Sequence, residues 1–360
     1  MSSEKTTKKN QPPKRKQRVL LTVLCVVLAV LLAALVTIVV YAEYILGSIS
    51  NPNGEDLPTL SQEEINAIQN PEDDDPDSTA PEVDPEDITW ADDPVTEIGG
   101  EGIVNILLIG QDRRPGEGRA RSDAMILCSF NLDKKTITMT SFMRDIYVQI
   151  PGYMDNKINA AFQLGGAELL SETIYTNFGV KIDGAVSVDF SQFKDVIDLL
   201  GGVDIELSEA EAYYLNTHDW ETVDNSQWNL KGGWNHLNGD QALSYARIRK
   251  IGNGDHERTD RQRTVLNALL KAYKNTSMTQ MVLLLDDLVP MVTTNMTQKE
   301  IVGYATDLLP LVSSLNTDSI VSQRIPADGD FYYADIRNLD VIVVDMDASR
   351  KLLADSIQGD

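Results

Sequence analysis

The chain has 360 residues, of which 42% are hydrophobic and 24% charged, so it is long enough for one large domain or two small ones. Acidic residues outnumber basic ones 55 to 31, and the formal net charge of −24 argues against a general nucleic-acid binder, because such proteins contact phosphates through excess Lys and Arg. The only two cysteines, Cys25 and Cys128, argue against a disulfide scaffold and a cysteine-rich zinc site.

Residues 19–42 form an uninterrupted apolar stretch of 24 residues without a charge, enough to cross a hydrocarbon core of about 30 Å as a helix. Seven Lys and Arg lie within residues 1–18, whereas residues 43–100 hold 17 Asp and Glu and no Lys or Arg. By the positive-inside rule, we predict a basic cytoplasmic tail over residues 1–18 and a single-pass membrane anchor over residues 19–42, with the rest of the chain outside the cell. A cleaved signal peptide is the alternative.

Residues 43–98 are acidic and contain seven of the 14 prolines, which predicts an extended, disordered spacer. From residue 99 to residue 360, short β-rich runs alternate with helical runs, a pattern typical of an α/β domain. Strands are predicted over residues 103–109, 124–130, 136–142, 186–188, 203–207, 320–325 and 341–344. Helices are predicted over residues 167–178, 191–200, 261–273, 279–292, 298–309 and 348–357, with Thr297 as an N-cap. Residues 213–237 are predicted to form a long loop.

The arginines of the outer domain are concentrated in two stretches. Ten of the 13 arginines beyond residue 42 lie in residues 113–144 or in residues 247–263. Planar, permanently charged guanidinium groups suit phosphate and pyrophosphate oxygens, so the two stretches would form one strongly cationic pocket if the fold brings them together. The alternative is that these arginines pair with surface carboxylates.

Two aspartates border predicted strands next to these arginines. Asp112 follows the first strand and Asp123 precedes the second, which places both at one edge of the sheet, where ligands of α/β proteins commonly bind. Two carboxylates beside phosphate-binding arginines suit Mg²⁺, or Mn²⁺ in its place, bridging a pyrophosphate. The alternative is a pair of solvated loop aspartates.

Eight ordered motifs run through the outer domain: NILLIGQD at residues 105–112, RSD at 121–123, RD at 144–145, KIN at 157–159, DLLGGVD at 198–204, LNGDQAL at 237–243, YARIR at 245–249 and the pattern D-x-x-R-x-x-R-Q at 255–262. Together they resemble the motifs of the LytR-CpsA-Psr proteins of Gram-positive cell envelopes. The basic tail, the single apolar segment and the outer domain also match the layout of that family.

The resemblance implies an α-β-α sandwich around a central mixed twisted sheet with a pocket for a lipid. It implies a magnesium-dependent phosphotransferase that moves an anionic glycopolymer from a polyprenyl-pyrophosphate carrier to peptidoglycan and releases polyprenyl phosphate. Carried over by motif, Asp112 and Asp123 would hold Mg²⁺. The residues expected to bind pyrophosphate are Arg121, Arg144, Arg247, Arg249, Arg258 and Gln262.

The proton acceptor for the attacking sugar hydroxyl is predicted among Asp112, Asp123 and Asp145, which with Arg144 make up the expected catalytic set. Phosphoryl transfer needs positioning and charge neutralisation more than covalent help, so no Ser/His/Asp set is required. Two other functions stay open at this point. One is a non-catalytic envelope regulator that binds polyprenyl lipids, and the other is a hydrolase of the same pyrophosphate lipid.

Overall fold

The computed structural model describes residues 60–70, 78–90, 96–111, 113, 118–220, 223–252, 254–275, 292–314 and 320–359. Its strands are β1 (Ile103–Gln111), β2 (Ser122–Asn131), β3 (Thr136–Phe142), β4 (Tyr147–Val148), β5 (Asn156–Lys157), β6 (Gly184–Asp189), β7 (Val203–Leu207), β8 (Gly233–Leu237), β9 (Thr293–Thr294), β10 (Ile320–Ile325), β11 (Phe331–Ile336) and β12 (Leu339–Val344). Its helices are α1 (Gln62–Gln69), α2 (Ile158–Phe178), α3 (Phe190–Leu199), α4 (Glu209–Thr217), α5 (Gly239–Ala246), α6 (Asp255–Asn275), α7 (Gln298–Ser314) and α8 (Met346–Gln358).

Six strands form the central sheet in the order β10-β3-β2-β1-β6-β9. The pairs β1–β6 and β3–β10 are parallel, whereas β1–β2, β2–β3 and β6–β9 are antiparallel, so the sheet is mixed as expected. The predicted strands at 136–142, 203–207 and 320–325 have the observed bounds, and the other predicted strands lie inside slightly longer ones. Mostly buried apolar residues explain this success for β1, β2 and β12, and the regular alternation of buried and exposed residues explains it for β7.

Helices cover both faces of the sheet and give an α-β-α sandwich. On one face, apolar side chains of β1 and β2 such as Leu107 and Leu127 pack with α2 and α8. On the other face, Ile126 and Met139 pack with Leu311 of α7 and with leucines of α6. The alternation of strand residues between the two faces therefore distributes one strand's side chains over two cores. The predicted N-cap of α7 is confirmed, because the backbone N–H of Glu300 donates to the hydroxyl of Thr297.

A second, smaller core surrounds the antiparallel pair β7–β8 and includes α3, α4 and α5. The prediction of a long loop over residues 213–237 is wrong at both ends, because α4 runs to Thr217 and β8 occupies the last five positions. Only alternate residues of β8 are covered, and Trp234 on its outer face is 68% exposed, so the apolar signal that marks a buried strand is missing there.

The prediction of a disordered spacer over residues 43–98 is wrong for the part that the structure describes. Helix α1 begins with a capping box at Ser61 and buries Ile68 against α2. Further along, the backbone N–H of Val83 donates to the carbonyl of Asp335 on β11, and Trp90 stacks on Tyr147 with ring centroids 5.9 Å apart. A few apolar side chains thus fix an acidic segment to the domain, which composition averaged over 56 positions conceals.

The predicted membrane anchor at residues 19–42 lies outside the described residues, as do residues 279–291 of the predicted helix at 279–292. Among the helices that the structure describes, none is both long enough and apolar enough to span a bilayer. The anchor stays a prediction.

Candidate functional site

The site lies at the sheet edge where β1, β3, β6 and β10 end and β2 begins. Asp123 is the second residue of β2, and Arg144 follows the last residue of β3 by two positions. Asp112 lies outside the described residues, but its neighbour Gln111 pairs with Ser122 across the strands. This pairing places the end of β1 beside the start of β2, where Asp123 lies.

Arg144 connects two of the predicted carboxylates. Its Nη1 donates to Oδ1 of Asp123 at 2.7 Å, and its Nε donates to Oδ2 of Asp145 at 3.3 Å. Burial alone would lower the pKa of Arg144, but the carboxylates of Asp145 and Asp123 outweigh burial, so the pKa lies above its ordinary value. The guanidinium is thus held in one orientation by two anions.

Arginines of the second stretch, residues 247–263, also lie close to Asp123. Nη2 of Arg249 lies 3.9 Å from Oδ1 of Asp123, and its Nε lies 3.5 Å from Oδ1 of Asp255. Nη1 of Arg258 on α6 lies 3.1 Å from the same Asp255 oxygen. The two stretches therefore form one charged cluster, whose members are Asp123, Arg144, Asp145, Lys157, Arg249, Asp255 and Arg258.

Lys157 belongs to this charged cluster although the sequence reasoning gave it no role. Its side chain is only 7% exposed, and Nζ lies 3.3 Å from Oδ1 of Asp145. Burial alone would raise the pKa of Asp145, but Lys157 and Arg144 outweigh burial and hold it below its ordinary value. The sequence signal was the KIN motif, whose lysine sits on the short strand β5 at the start of α2.

Arg258 is the most deeply buried arginine of the charged cluster, with a side chain 4% exposed. Burial lowers its pKa to about 10, against the opposing effect of Asp255. Its buried Nε has no hydrogen-bond partner in the described residues. An unmatched guanidinium N–H in a cluster of four cations and three carboxylates fits an anionic ligand.

The remaining predicted pyrophosphate ligands have other positions. Nε of Arg121 donates to Oε1 of Gln163 on α2 at 3.4 Å. Arg247 caps α5 in a helical conformation, not an extended one, and lies over the ring of Phe190 at 5.0 Å from its centroid. Gln262 is half-buried one helical turn after Arg258, so it shares that face of α6. The contacts described here for Arg121 and Arg247 are thus with groups outside the charged cluster.

Two other arginines of the second stretch pair with carboxylates outside the charged cluster. Arg261 is buried, with Nε 2.8 Å from Glu211 and Nη2 2.7 Å from Glu257, and it donates to the carbonyl of Ile248. It thereby fixes the backbone that carries Arg249. Nη2 of Arg263 pairs with Asp260 on the same helix.

The described residues supply part of a binding site for a hard divalent ion. In the described residues no group of three or more His, Cys, Asp or Glu is arranged to hold a metal. Mg²⁺ in phosphate sites, however, is commonly bound by one or two carboxylates together with phosphate oxygens. Asp123 supplies one such carboxylate, and Asp112, the second one expected from the sequence, lies outside the described residues. This donor set is compatible with Mg²⁺ or Mn²⁺.

The sequence profile of the LytR_cpsA_psr family matches residues 63–353, beginning within the predicted spacer. The chain is 36% identical over 180 residues to the regulatory protein MsrR of Staphylococcus aureus, which covers 49% of this chain and 51% of MsrR. It is 32% identical over 222 residues to the polyisoprenyl-teichoic acid–peptidoglycan teichoic acid transferase TagT of Bacillus subtilis, which covers 61% of this chain and 66% of TagT. The chain thus spans about half the length of the curated relatives it matches.

Solved structures agree with this similarity. The crystal structure of Bacillus subtilis TagV is 30% identical, with a TM-score of 0.57, covering 72% of this chain and 98% of TagV. TagT with bound octaprenyl pyrophosphate lipid is 26% identical, with a TM-score of 0.54, covering 72% of this chain and 92% of TagT. Because the family profile covers well over half of the chain and the α-β-α architecture agrees, this protein belongs to the LytR-CpsA-Psr family.

Proposed function

We propose that this protein is a membrane-anchored phosphotransferase that attaches an anionic cell-wall glycopolymer to peptidoglycan from a polyprenyl-pyrophosphate carrier. The observation that carries the proposal is the charged cluster, in which Arg144, Arg249 and Arg258 converge from separate parts of the chain on Asp123 and Asp255. Relatives named as teichoic acid transferases, and a relative solved with octaprenyl pyrophosphate, support the substrate class.

In this proposal the arginines bind the pyrophosphate and orient it. Arg258 and Arg144 are fixed by Asp255 and Asp123, so the guanidinium groups are positioned before the ligand arrives and little ordering is needed on binding. Arg249, 44% exposed, contacts the same two carboxylates at longer distances and closes the site on its solvent side. Arg121, Arg247 and Gln262 would contact the outer oxygens or the first sugar.

The step itself exchanges one phosphorus–oxygen bond for another. A hydroxyl oxygen of the peptidoglycan glycan attacks the phosphorus that carries the polymer, and the bond from that phosphorus to the bridging oxygen breaks. The bridging oxygen leaves with the bonding electron pair as part of polyprenyl phosphate, and the hydroxyl proton passes to a carboxylate. The product is a phosphodiester between polymer and peptidoglycan.

The candidate proton acceptors differ in their surroundings. Asp145 is flanked by Lys157 and Arg144, which hold its pKa below the ordinary value and make it a weak base. We therefore assign Asp145 to positioning Arg144 and not to accepting the proton. Asp112 and Asp123 would hold Mg²⁺, which supplies further neutralisation of the pyrophosphate charge when bound. The predicted anchor at residues 19–42 would keep the domain at the outer membrane surface, where the lipid carrier is.

The test uses the full chain purified in detergent, a synthetic polyprenyl-pyrophosphate-linked saccharide and uncrosslinked peptidoglycan strands, with Mg²⁺ or with EDTA. Mass spectrometry measures both glycan attachment and released polyprenyl phosphate. We expect Mg²⁺-dependent attachment that falls at least 100-fold in Asp123→Asn and Arg258→Ala. Lys351→Ala removes an exposed charge paired with Asp355 and is the matched control, with unchanged activity.

The outcomes separate the three functions. Attachment with equimolar release of polyprenyl phosphate supports the transferase. Release without attachment, although acceptor strands are present, would contradict it in favour of a hydrolase. Tight lipid binding with neither product would contradict it in favour of a regulator, the role in the name of the relative MsrR.

A further inference from the structure

Three side chains form a hydrogen-bonded chain beside the charged cluster. Nη2 of Arg324, on β10, donates to Nδ1 of His256 at 3.0 Å. The other ring nitrogen of His256, Nε2, lies 3.4 Å from the hydroxyl of Tyr333 on β11. His256 is 6% exposed, and its ring packs against Phe331 with the centroids 5.3 Å apart.

These contacts fix where the protons are. A guanidinium has only donors, so Nδ1 of His256 must be the acceptor in its contact with Arg324. Burial, together with Arg324, holds the pKa of His256 below its ordinary value, so the ring is neutral and carries its one proton on Nε2. That proton is donated to the oxygen of Tyr333. The hydroxyl proton of Tyr333 is therefore left to point away from His256.

Tyr333 lies next to the charged cluster on two sides. Tyr333 pairs with Ile342 in the β11–β12 register, and the backbone N–H of Ile342 donates to the carbonyl of Asp145 at 2.8 Å. On the other side, its hydrogen-bond partner His256 directly follows Asp255 in α6. Tyr333 is 50% exposed, so a ligand can reach its hydroxyl. Burial, followed by the carboxylates of Asp255 and Asp340, raises the pKa of Tyr333 and keeps it protonated.

We propose that Tyr333 donates a hydrogen bond to a phosphate oxygen of the ligand held by the charged cluster, with His256 and Arg324 as positioning residues that direct the hydroxyl proton toward it. This inference rests on the proposed function, and it adds a ligand-binding group from β11, a strand outside the sheet that forms the site edge. A neutral donor beside three arginines can bind a phosphate oxygen without adding another mutually repelling cation.

The test compares Tyr333→Phe with Tyr332→Phe. Tyr332 is 49% exposed and points to the opposite face of β11, so it matches Tyr333 in exposure, strand and lost atom. Calorimetry measures the affinity for farnesyl pyrophosphate, and the transfer assay measures kcat/KM. Because a hydrogen bond to a charged oxygen is lost, we expect Tyr333→Phe to weaken both about 10- to 100-fold and Tyr332→Phe to leave both unchanged.

Two further variants test the positioning role of His256. His256→Phe should reproduce the loss of Tyr333→Phe, and the double variant should be no worse than either, because both changes remove the same hydrogen bond. His256→Gln keeps an acceptor for Arg324 and a donor for Tyr333, so it should recover most of the affinity. Thermal unfolding of each variant checks that it is folded.

The outcomes distinguish this inference from the proposed function on which it rests. Wild-type protein that neither binds farnesyl pyrophosphate nor transfers glycan would overturn both. Active wild type with equal behaviour of Tyr333→Phe and Tyr332→Phe would overturn only the role of Tyr333. Losses that add in the double variant would overturn the role of His256 in directing the proton.

Discussion

Replacing Lys157 by Met should show how strongly the buried ion pair with Asp145 supports the site. Nζ of Lys157 lies 3.3 Å from Oδ1 of Asp145, and the two side chains are 7% and 19% exposed. At an effective dielectric constant of about 20, two unit charges at that distance attract by about 5 kcal/mol. Arg144 remains as a second partner of Asp145 at 3.3 Å, so part of this attraction survives. We expect the free energy of unfolding to fall by about 3 kcal/mol, the lower end of the range for a broken buried pair.

The ion pair also predicts how the free energy of unfolding depends on pH. Because the pKa of Asp145 is depressed in the folded protein, its stabilising contribution is fully present above the unfolded-state pKa and is lost as pH falls through the folded-state pKa. In Lys157→Met the carboxylate keeps its burial with less compensation, so it takes up a proton at higher pH. The stability gap between wild type and variant should therefore narrow between pH 7 and pH 4.

Urea unfolding followed by circular dichroism, at several pH values in that range, measures the gap. Lys194→Met is the matched control, because Lys194 forms a more exposed pair with Asp240 and should change the unfolding free energy by less than about 1 kcal/mol. Adding Asp145→Asn to Lys157→Met should recover stability, since it removes the undercompensated charge. The electrostatic account would be refuted if the unfolding free energies of wild type and Lys157→Met differ by less than about 1 kcal/mol at pH 7. It would also be refuted if this difference stays constant down to pH 4.

Three further predictions follow from the geometry. Gly166 interrupts α2 with φ 70°, and an added Cβ would lie 3.3 Å from the guanidinium carbon of Arg119, so Gly166→Ala should lower the melting temperature by several degrees. Gly303→Ala in α7, where nothing lies within 4 Å, should raise it slightly, and equal shifts would contradict the strain at Gly166. Arg258→Lys should reduce kcat/KM for transfer at least 10-fold while the fold is kept, because an ammonium lacks the bidentate fork; wild-type kinetics would rule out a direct contact with phosphate. Trp90→Ala removes the stacking on Tyr147 and should lower the free energy of unfolding by about 2 kcal/mol in urea titrations, whereas no change would show that residues 78–90 contribute little stability.

The sequence patterns locate β1 and β2 of the central sheet well because these two strands are long, largely apolar and mostly buried. The hairpin β11–β12 shows where such patterns fail. Its two-residue turn consists of Arg337 and Asn338, both with positive φ, which is the geometry of a type I′ turn. Such turns are recognised by Asn-Gly or Asp-Gly, so Arg337 followed by Asn338 gave no clear signal. Strand β11 was consequently missed, and Tyr333 with it.

Much of the site could be anticipated from the concentration of arginines, since Arg144, Arg249 and Arg258 do converge. Periodicity could not separate Arg249 and Arg258 of the charged cluster from Arg261, because all three lie in the same charged stretch. Their roles are decided by which carboxylates the second core presents, for example Glu211 on α4. The sequence pattern did not assign Lys157 to the site for a similar reason. Its burial comes from the pairing of β4 with β5 and not from its own neighbours in sequence.

Residues 78–90 also cover one edge of the β11–β12 hairpin. The backbone of β11 exchanges two hydrogen bonds with this segment, from Val83 to Asp335 and from Asp335 to Pro81, so the free side of the hairpin is covered. An uncovered strand edge is a template for pairing with another chain. Beside this edge stand the half-exposed rings of Tyr332 and Tyr333. We expect a variant that begins at residue 99 to expose that edge and those rings together and therefore to self-associate.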